Sequence, residues 1–235
     1  MAAGGYGIYR EWLIVPERFN PWAPLNVTAP LDLFTNYKLS RARSDPALCL
    51  NALAKTNMQY DVLPDRATDL GCGFNNAVRL RSAKVRFGAP LPVSCPIALS
   101  FFMWERHALQ AAAQQHFGQR VAAIEHLGSY ACRNINRGEP AGPGEVLPNK
   151  SRSRHATANA LDIAAFTLEN GKRITVLNQW KRTDAGEPGG SAEARMLYDT
   201  HQGACRFFTG VLGPDYNAAH RDHFHLETGG YSMCR

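Results

Sequence analysis

Residues 160–177 read ALDIAAFTLENGKRITVL, and the way this stretch folds decides the architecture. Strand-type residues flank Glu169-Asn170-Gly171, and Asn-Gly readily adopts the positive φ that a tight hairpin turn requires. The stretch is therefore read as two antiparallel strands. Upstream, RVAAIEHLGSYACRN (120–134) reads as two short strands around Gly128, and downstream DHFHLE (222–227) reads as a closing strand. Helices frame these strands. Asp45-Pro46 supplies a cap and a first-turn proline, Ser94 with Pro96 opens a long helix through Gln115 that Gly118 ends, and residues 191–208 suit another. VRLRSAKVRFG (78–88) alternates apolar and basic residues, as a strand with one wet face does. The expectation is an α+β protein: a small antiparallel sheet from about residue 118 with helices packed on it, and an N-terminal segment wrapping it. In domain terms this gives an irregular arm (1–40), a helical/strand subdomain (41–117) and a core (118–235). The Gly/Pro-rich RGEPAGPGEVLPNKS (137–151) reads as a loop, either beside an active site or an exposed connector.

Bulk properties narrow the partners. The chain has 235 residues, 45% of them hydrophobic and 20% charged, enough to bury at least one good core and against disorder. No apolar run approaches the roughly 18–20 residues of a membrane span. WLIVP (12–16) falls short of the about 7–15 apolar residues of a signal-peptide core, so export is expected to use a leader outside this sequence or a route that reads none. The net charge of +6 favours anionic partners such as a bacterial wall. Lys and Arg are scattered rather than clustered, which argues against nucleic acid. Six cysteines without a CxxC pair fit disulfides better than structural zinc, and so an oxidising compartment, periplasmic or secreted.

Three of the eight histidines, His220, His223 and His225, fall within six positions. In a strand His223 and His225 project to one face, whereas on a helix they would diverge by about 200°. Two polar residues on an edge strand remain the bland reading of this pair. A second cluster, SRHATANALD (153–162), brings Ser153, His155 and Asp162. One carboxylate and two histidines make an N,N,O donor set, the catalytic kind of zinc site with one open position. Residues seven apart face opposite ways in a strand, so ATAN (156–159) must turn to bring His155 and Asp162 together.

Ser153, His155, Ala160 and Asp162, followed by the distal HxH, resemble the motif pair SxHxxGxAxD and HxH of the LAS zinc metallopeptidases. Ala158 departs from the glycine usual there, a change tolerable where φ is negative. The spacing His220-x-x-His223-x-His225 looks most like the penicillin-insensitive murein endopeptidase branch, beside the D-Ala-D-Ala carboxypeptidases. EHLGSYACRN (125–134), SRHATANALDIAAF (153–166), GACRFF (203–208) and LGPDYNAAHRDHFHLE (212–227) together resemble the bacterial extensin-like C-terminal domain family. PWAPLNVTAP (21–30) and KLSRARSDPALC (38–49) extend that resemblance to about residues 20–230.

The resemblance implies an LAS-like core with Zn2+ held by His155, Asp162 and His225, acidifying water for attack. His223 would be the general base, or alternatively a structural hydrogen-bonding partner. Arg133 would bind a substrate carboxylate or the developing oxyanion. Ser153, Tyr216 and Asn217 would contact substrate or line the cleft, and His220 would orient His223, bind substrate or finish a turn. Glu125 and His126 are adjacent on a strand and so point apart. The implied activity is hydrolysis of amide bonds in peptidoglycan peptide stems as a DD- or LD-endopeptidase. It would serve wall remodelling, or act as a secreted antibacterial effector with an immunity protein or secretion apparatus as partner. The alternatives are a non-catalytic wall-binding module, or a zinc carboxypeptidase or amidase on another wall bond.

Overall fold

The computed structural model describes residues 9, 12, 15–135, 146, 150–183 and 188–235. The chain divides into two compact units, Met1–Thr56 and Asn57–Arg235. The smaller unit carries α1 (Thr35–Ser44) and α2 (Pro46–Leu53). Asp45 separates them: its carboxylate accepts the Leu48 N–H at 3.0 Å, and Pro46 takes the first turn, where no N–H is needed. The proline-broken segment before α1 is pinned by two cations of that helix. Buried Lys38 donates to the Glu17 carbonyl at 2.7 Å and to Asp32 at 3.2 Å, and Arg41 donates to the carbonyls of Pro21 and Trp22. The carbonyls of Pro21 and Trp22 are thereby satisfied outside any helix or strand, and that of Glu17, which already accepts the Asn20 N–H at 3.1 Å, gains a second donor.

The larger unit begins with β1 (Gln59–Leu63), the hairpin β2 (Arg66–Thr68) and β3 (Cys72–Phe74), then β4 (Ala77–Ser82) and β5 (Arg86–Ser94). Next come α3 (Cys95–Trp104), a π turn (Glu105–Leu109) and α4 (Gln110–Phe117), followed by β6 (Val121–Gly128), β7 (Ala160–Leu168) and β8 (Arg173–Thr175). The short α5 (Val176–Gln179), α6 (Ala192–Ala204), β9 (Gly210–Leu212), β10 (Phe224–Glu227) and β11 (Met233–Cys234) complete it. The main sheet runs β1-β4-β5-β6-β7-β10-β9-β11, with β8 alongside β7. Among the described residues, β5–β6 and β9–β11 pair in parallel and the other neighbours of this sheet are antiparallel. A parallel pair needs a crossover, and the helix from α3 to α4 supplies it.

The architecture is thus α+β with a mostly antiparallel sheet, larger than the sequence suggested. VRLRSAKVRFG holds parts of two strands, because the chain turns at Ala83 and Lys84. The sheet therefore runs straight through the boundary expected at residue 118. Residues 120–134 give one strand rather than two. Gly128, at φ +126°, ends it, and the Ser129 hydroxyl bonds to the Pro92 carbonyl. The chain then continues as a narrow ribbon in which Ile135 N–H reaches the Ser151 carbonyl and Ser153 N–H the Arg133 carbonyl. Most of the Gly/Pro-rich stretch 137–151 lies outside the described residues. The Asn170-Gly171 hairpin is present, with Gly171 at φ +85°.

The α3 helix is apolar on all sides and buried along its whole length, the pattern of a helix inside a core. Trp104, fully buried, meets Phe101, Phe166 and Phe208 and donates its indole N–H to the Thr200 carbonyl at 3.0 Å. Phe166 sits on β7, and its ring also meets Phe224 of β10. In the β6–β7 register Glu125 faces Ala165 and His126 faces Ile163, so Ala164 is a bulged residue. In a regular strand Asp162 and Phe166, four apart, would share a face; the bulge reverses one of them. Phe166 joins the apolar core while Asp162 turns away from it. Trp104→Ala should cost about 3–5 kcal/mol, read as a lowered urea midpoint with an unchanged slope.

Candidate metal centre

His155 lies in a 3-10 turn, Arg154–Thr157, whose first N–H groups need acceptors. Ser153 supplies one: its buried hydroxyl accepts the His155 N–H at 3.3 Å. The turn then reverses into β7 through Ala158, as the spacing of His155 and Asp162 required. Ala158 has φ +54° and is completely buried. Alanine is expected to be tolerable there where φ is negative, and that condition is not met. A left-handed alanine costs about 1–2 kcal/mol, which the surroundings must impose. One such tie is visible, since the Ala158 carbonyl accepts the N–H of Ser94, the cap of α3.

Asp162 and His225 are opposed in the β7–β10 ladder, so their side chains leave the sheet on one face. The Asp162 Oδ1 lies 2.8 Å from His225 Nδ1, its Oδ2 lies 3.1 Å from His155 Nε2, and the two imidazoles approach at 3.2 Å. One ligand atom from each residue falls within 4.8 Å of the others, and all three residues are buried.

The outer ring nitrogens define the tautomers. His155 Nδ1 is 3.1 Å from the Ser129 carbonyl, which can only accept, so Nδ1 carries a proton and Nε2 offers a lone pair inward. His225 Nε2 is 3.1 Å from Glu227 Oε2, another acceptor, which leaves Nδ1 as its inward donor. Histidines oriented through their second nitrogen are characteristic of metal sites. A carboxylate and two such nitrogens fit a divalent ion of borderline softness. Burial favours a neutral Asp162, but its interactions with the His155 and His225 rings overcome it and hold the carboxyl far below its ordinary range. Burial likewise opposes charge on His225, and Asp162 and Glu227 outweigh it, pushing its pKa up to about 9. Without an ion, the His225 imidazolium therefore offsets one of the two carboxylate charges.

His223 stands one residue before β10. Its Nδ1 meets Asp222 Oδ1 at 2.8 Å, and its Nε2 lies 3.6 Å from Asp162 Oδ1, so the free nitrogen of a neutral ring faces the cluster. In a continuous strand Asp222 would face away from its neighbour His223; the strand begins only at Phe224, and Asp222 turns back to orient His223. His220 ends a 3-10 turn (Ala218–His220), with its ring against those of His223 and His225 and its Nδ1 donating to Asn217 Oδ1 at 2.7 Å. Burial lowers its pKa to about 4, and the neighbouring His225 and His223 add to this. Tyr216, 43% exposed, meets the His220 ring edge-on. Asn217 caps the turn, so it and Ser153 have visible structural work. Arg133 is half-buried on the ribbon, and its charge is among those acting on His220. The Cys72–Cys132 disulfide anchors the β2–β3 hairpin beside it. Glu125 is a bidentate partner of Arg173, and His126 reaches the Ala89 carbonyl, so that pair does act apart.

Sequence reading overlooked Glu227, Ser129 and Asp222. Glu227 carried a usable signal, since it sits two residues beyond His225 on the same strand face. Ser129 carried none, because it acts through its backbone carbonyl. The family model described as Extensin-like protein C-terminus matches residues 47–235. No curated protein and no solved structure matches the chain.

Two outcomes follow from this geometry. Ala158→Gly should raise stability by up to about 1 kcal/mol, read from the denaturation midpoint, with the buried methyl's lost packing setting the upper limit. In the metal-free protein, imidazole NMR should place His225 near pKa 9, and Glu227→Gln should lower it. A folded pKa above the ordinary 6.5 means that this contribution to stability is complete below about pH 6.5 and disappears as pH rises through 9.

Proposed function

From the premise that the chain belongs to the extensin-like C-terminal family, whose name carries no chemistry, we propose that it is an LAS-type zinc peptidase cutting amide bonds in peptidoglycan peptide stems. The observation that carries this reading is the convergence of His155 Nε2, Asp162 and His225 Nδ1, with both outer ring nitrogens already engaged. When bound, zinc would supply Lewis acidity for a carbonyl and acidify water. His155, Asp162 and His225 would hold it. His225 must release its Nδ1 proton to do so, and metal binding therefore strengthens as pH rises toward 9.

The remaining side chains divide the work. His223, oriented by Asp222, accepts a proton at Nε2 from the attacking water and returns it to the departing amine. Arg133 offers a guanidinium to a substrate carboxylate or to the developing oxyanion, where a fork of N–H donors is suited to either. His220, neutral at physiological pH, presents no competing charge beside His223. Tyr216 is exposed on the rim and available to a peptide stem. The net charge of +6 favours retention on an anionic wall. Cysteines joined in disulfides, including Cys72–Cys132 and Cys205–Cys234, suit a periplasmic or secreted site of action. Among the described residues no helix is long and apolar enough to cross a membrane.

The decisive experiment is digestion of cross-linked muropeptides, with and without a chelator, followed by mass spectrometry. Cleaved cross-links that depend on metal support the endopeptidase; loss of a terminal residue or of the whole stem points to carboxypeptidase or amidase chemistry. Sedimentation with walls but no new fragments would leave a binding module. His155→Ala and His225→Ala should each lose tight zinc and all turnover. His223→Ala should keep its zinc while turnover falls by about 10²–10⁴-fold; a fully active variant removes His223 from the mechanism.

A further inference from the structure

A second cluster of metal-type ligands lies away from this centre. His201 lies in the last turn of α6 and Cys205, four residues on, is its C-cap and keeps helical backbone angles, hence the same helix face; Cys234 lies on β11. One nitrogen of His201 and the two sulfurs fall within 4.8 Å of one another. Cys205 and Cys234 are joined as a disulfide, so the pair holds no ion in that state. His201 is 2% exposed, and its Nε2 lies 3.2 Å from the Arg235 carbonyl, an acceptor, so Nε2 carries the proton. Its Nδ1 is therefore a bare lone pair, and this buried atom has no hydrogen-bond partner among the described residues. Burial also keeps this ring neutral, with a pKa lowered to about 4. A disulfide does not require such a nitrogen, and leaving it unsatisfied costs stability.

We propose that His201, Cys205 and Cys234 form a redox-gated metal site, closed as a disulfide and open to a thiophilic divalent cation such as zinc when reduced. Two cysteine sulfurs and one imidazole are an established zinc donor set that leaves one position open. The chemistry balances with a dithiol as reductant. It delivers two electrons and two protons to the Cys205–Cys234 bond and becomes a disulfide itself. The cation then displaces both thiol protons. In either state Cys234 remains tied to the end of α6, so β11 keeps its place beside β9. The cluster would thus hold the sheet's last strand both before and after oxidation. This proposal is independent of the His155 centre and of any peptidase activity.

Cobalt(II) is the probe, because thiolate-to-cobalt charge transfer gives a near-ultraviolet band that the thiolate-free His155 centre cannot produce. The full chain is reduced with a phosphine, which takes oxygen from water to become a phosphine oxide, and is then titrated with cobalt(II). The band should appear only after reduction, and zinc should displace it. It should be absent from Cys205→Ser/Cys234→Ser protein and weaken at least about tenfold in affinity in His201→Phe, by loss of one ligand. Near-ultraviolet circular dichroism monitors folding throughout. A reduced protein that unfolds before binding, a band that survives in the double serine variant, or an unchanged affinity in folded His201→Phe each overturns the proposal.

Discussion

The pairing of β7 with β10 places Asp162 opposite His225, and the other features of the centre are arranged around that pair. Opposed residues in an antiparallel ladder leave the sheet on the same face at close range, so a carboxylate and an imidazole 63 residues apart meet at 2.8 Å. The same ladder sends Phe224 and Ile163 to the other face, where Phe224 meets Phe166 and Trp180. Apolar packing on one side of the sheet therefore stabilises the register that the polar side needs. A slip of one residue would bury His225 among aromatic rings and move Phe224 into the polar cluster.

Burial has a second consequence at this pair. A carboxylate taken out of water needs compensating charge or hydrogen bonds, and Asp162 has His155, His225 and the nearby His223. Glu227 adds a second carboxylate behind His225. Even with His225 protonated, Asp162 and Glu227 leave one negative charge in excess, and an arriving cation can take the place of that proton. On the proposed metal reading, this exchange would link the pKa of His225 to metal affinity. It also explains why Ser129 and Glu227, neither of them a ligand, matter: each holds one proton on the outer side of a ring and so keeps the inner nitrogen available.

Local rules of sequence were reliable where one short stretch contained all the information. The caps at Asp45 and Ser94, the stop at Gly118 and the Asn170-Gly171 hairpin follow from side-chain acceptors and from positive φ, and all four are present. The rules failed where a neighbour distant in sequence intervened. VRLRSAKVRFG keeps its alternation through a turn, so nothing in the pattern reveals a break at Ala83 and Lys84. Gly128 is a strand end because Ser129 is held by Pro92, 37 residues away. Ala158 takes a left-handed conformation that its own residue type disfavours, since Ser94, the β7 strand and the His155 turn together determine its backbone.

By itself the sequence determined the α+β class and the residue types of the centre, because donor chemistry and the two-residue strand period are local properties. His155, Asp162 and His225 were recognisable as candidate ligands, and His223 as their neighbour. Only the tertiary structure decided how they are used. The bulge at Ala164 turns Asp162 away from the core, and Ser129 and Glu227 select which nitrogen of each histidine faces inward. Asp222 gives His223 its orientation. Such choices depend on which carbonyl or carboxylate lies within about 3 Å of a ring nitrogen, a distance set by the meeting of strands and turns far apart in the chain.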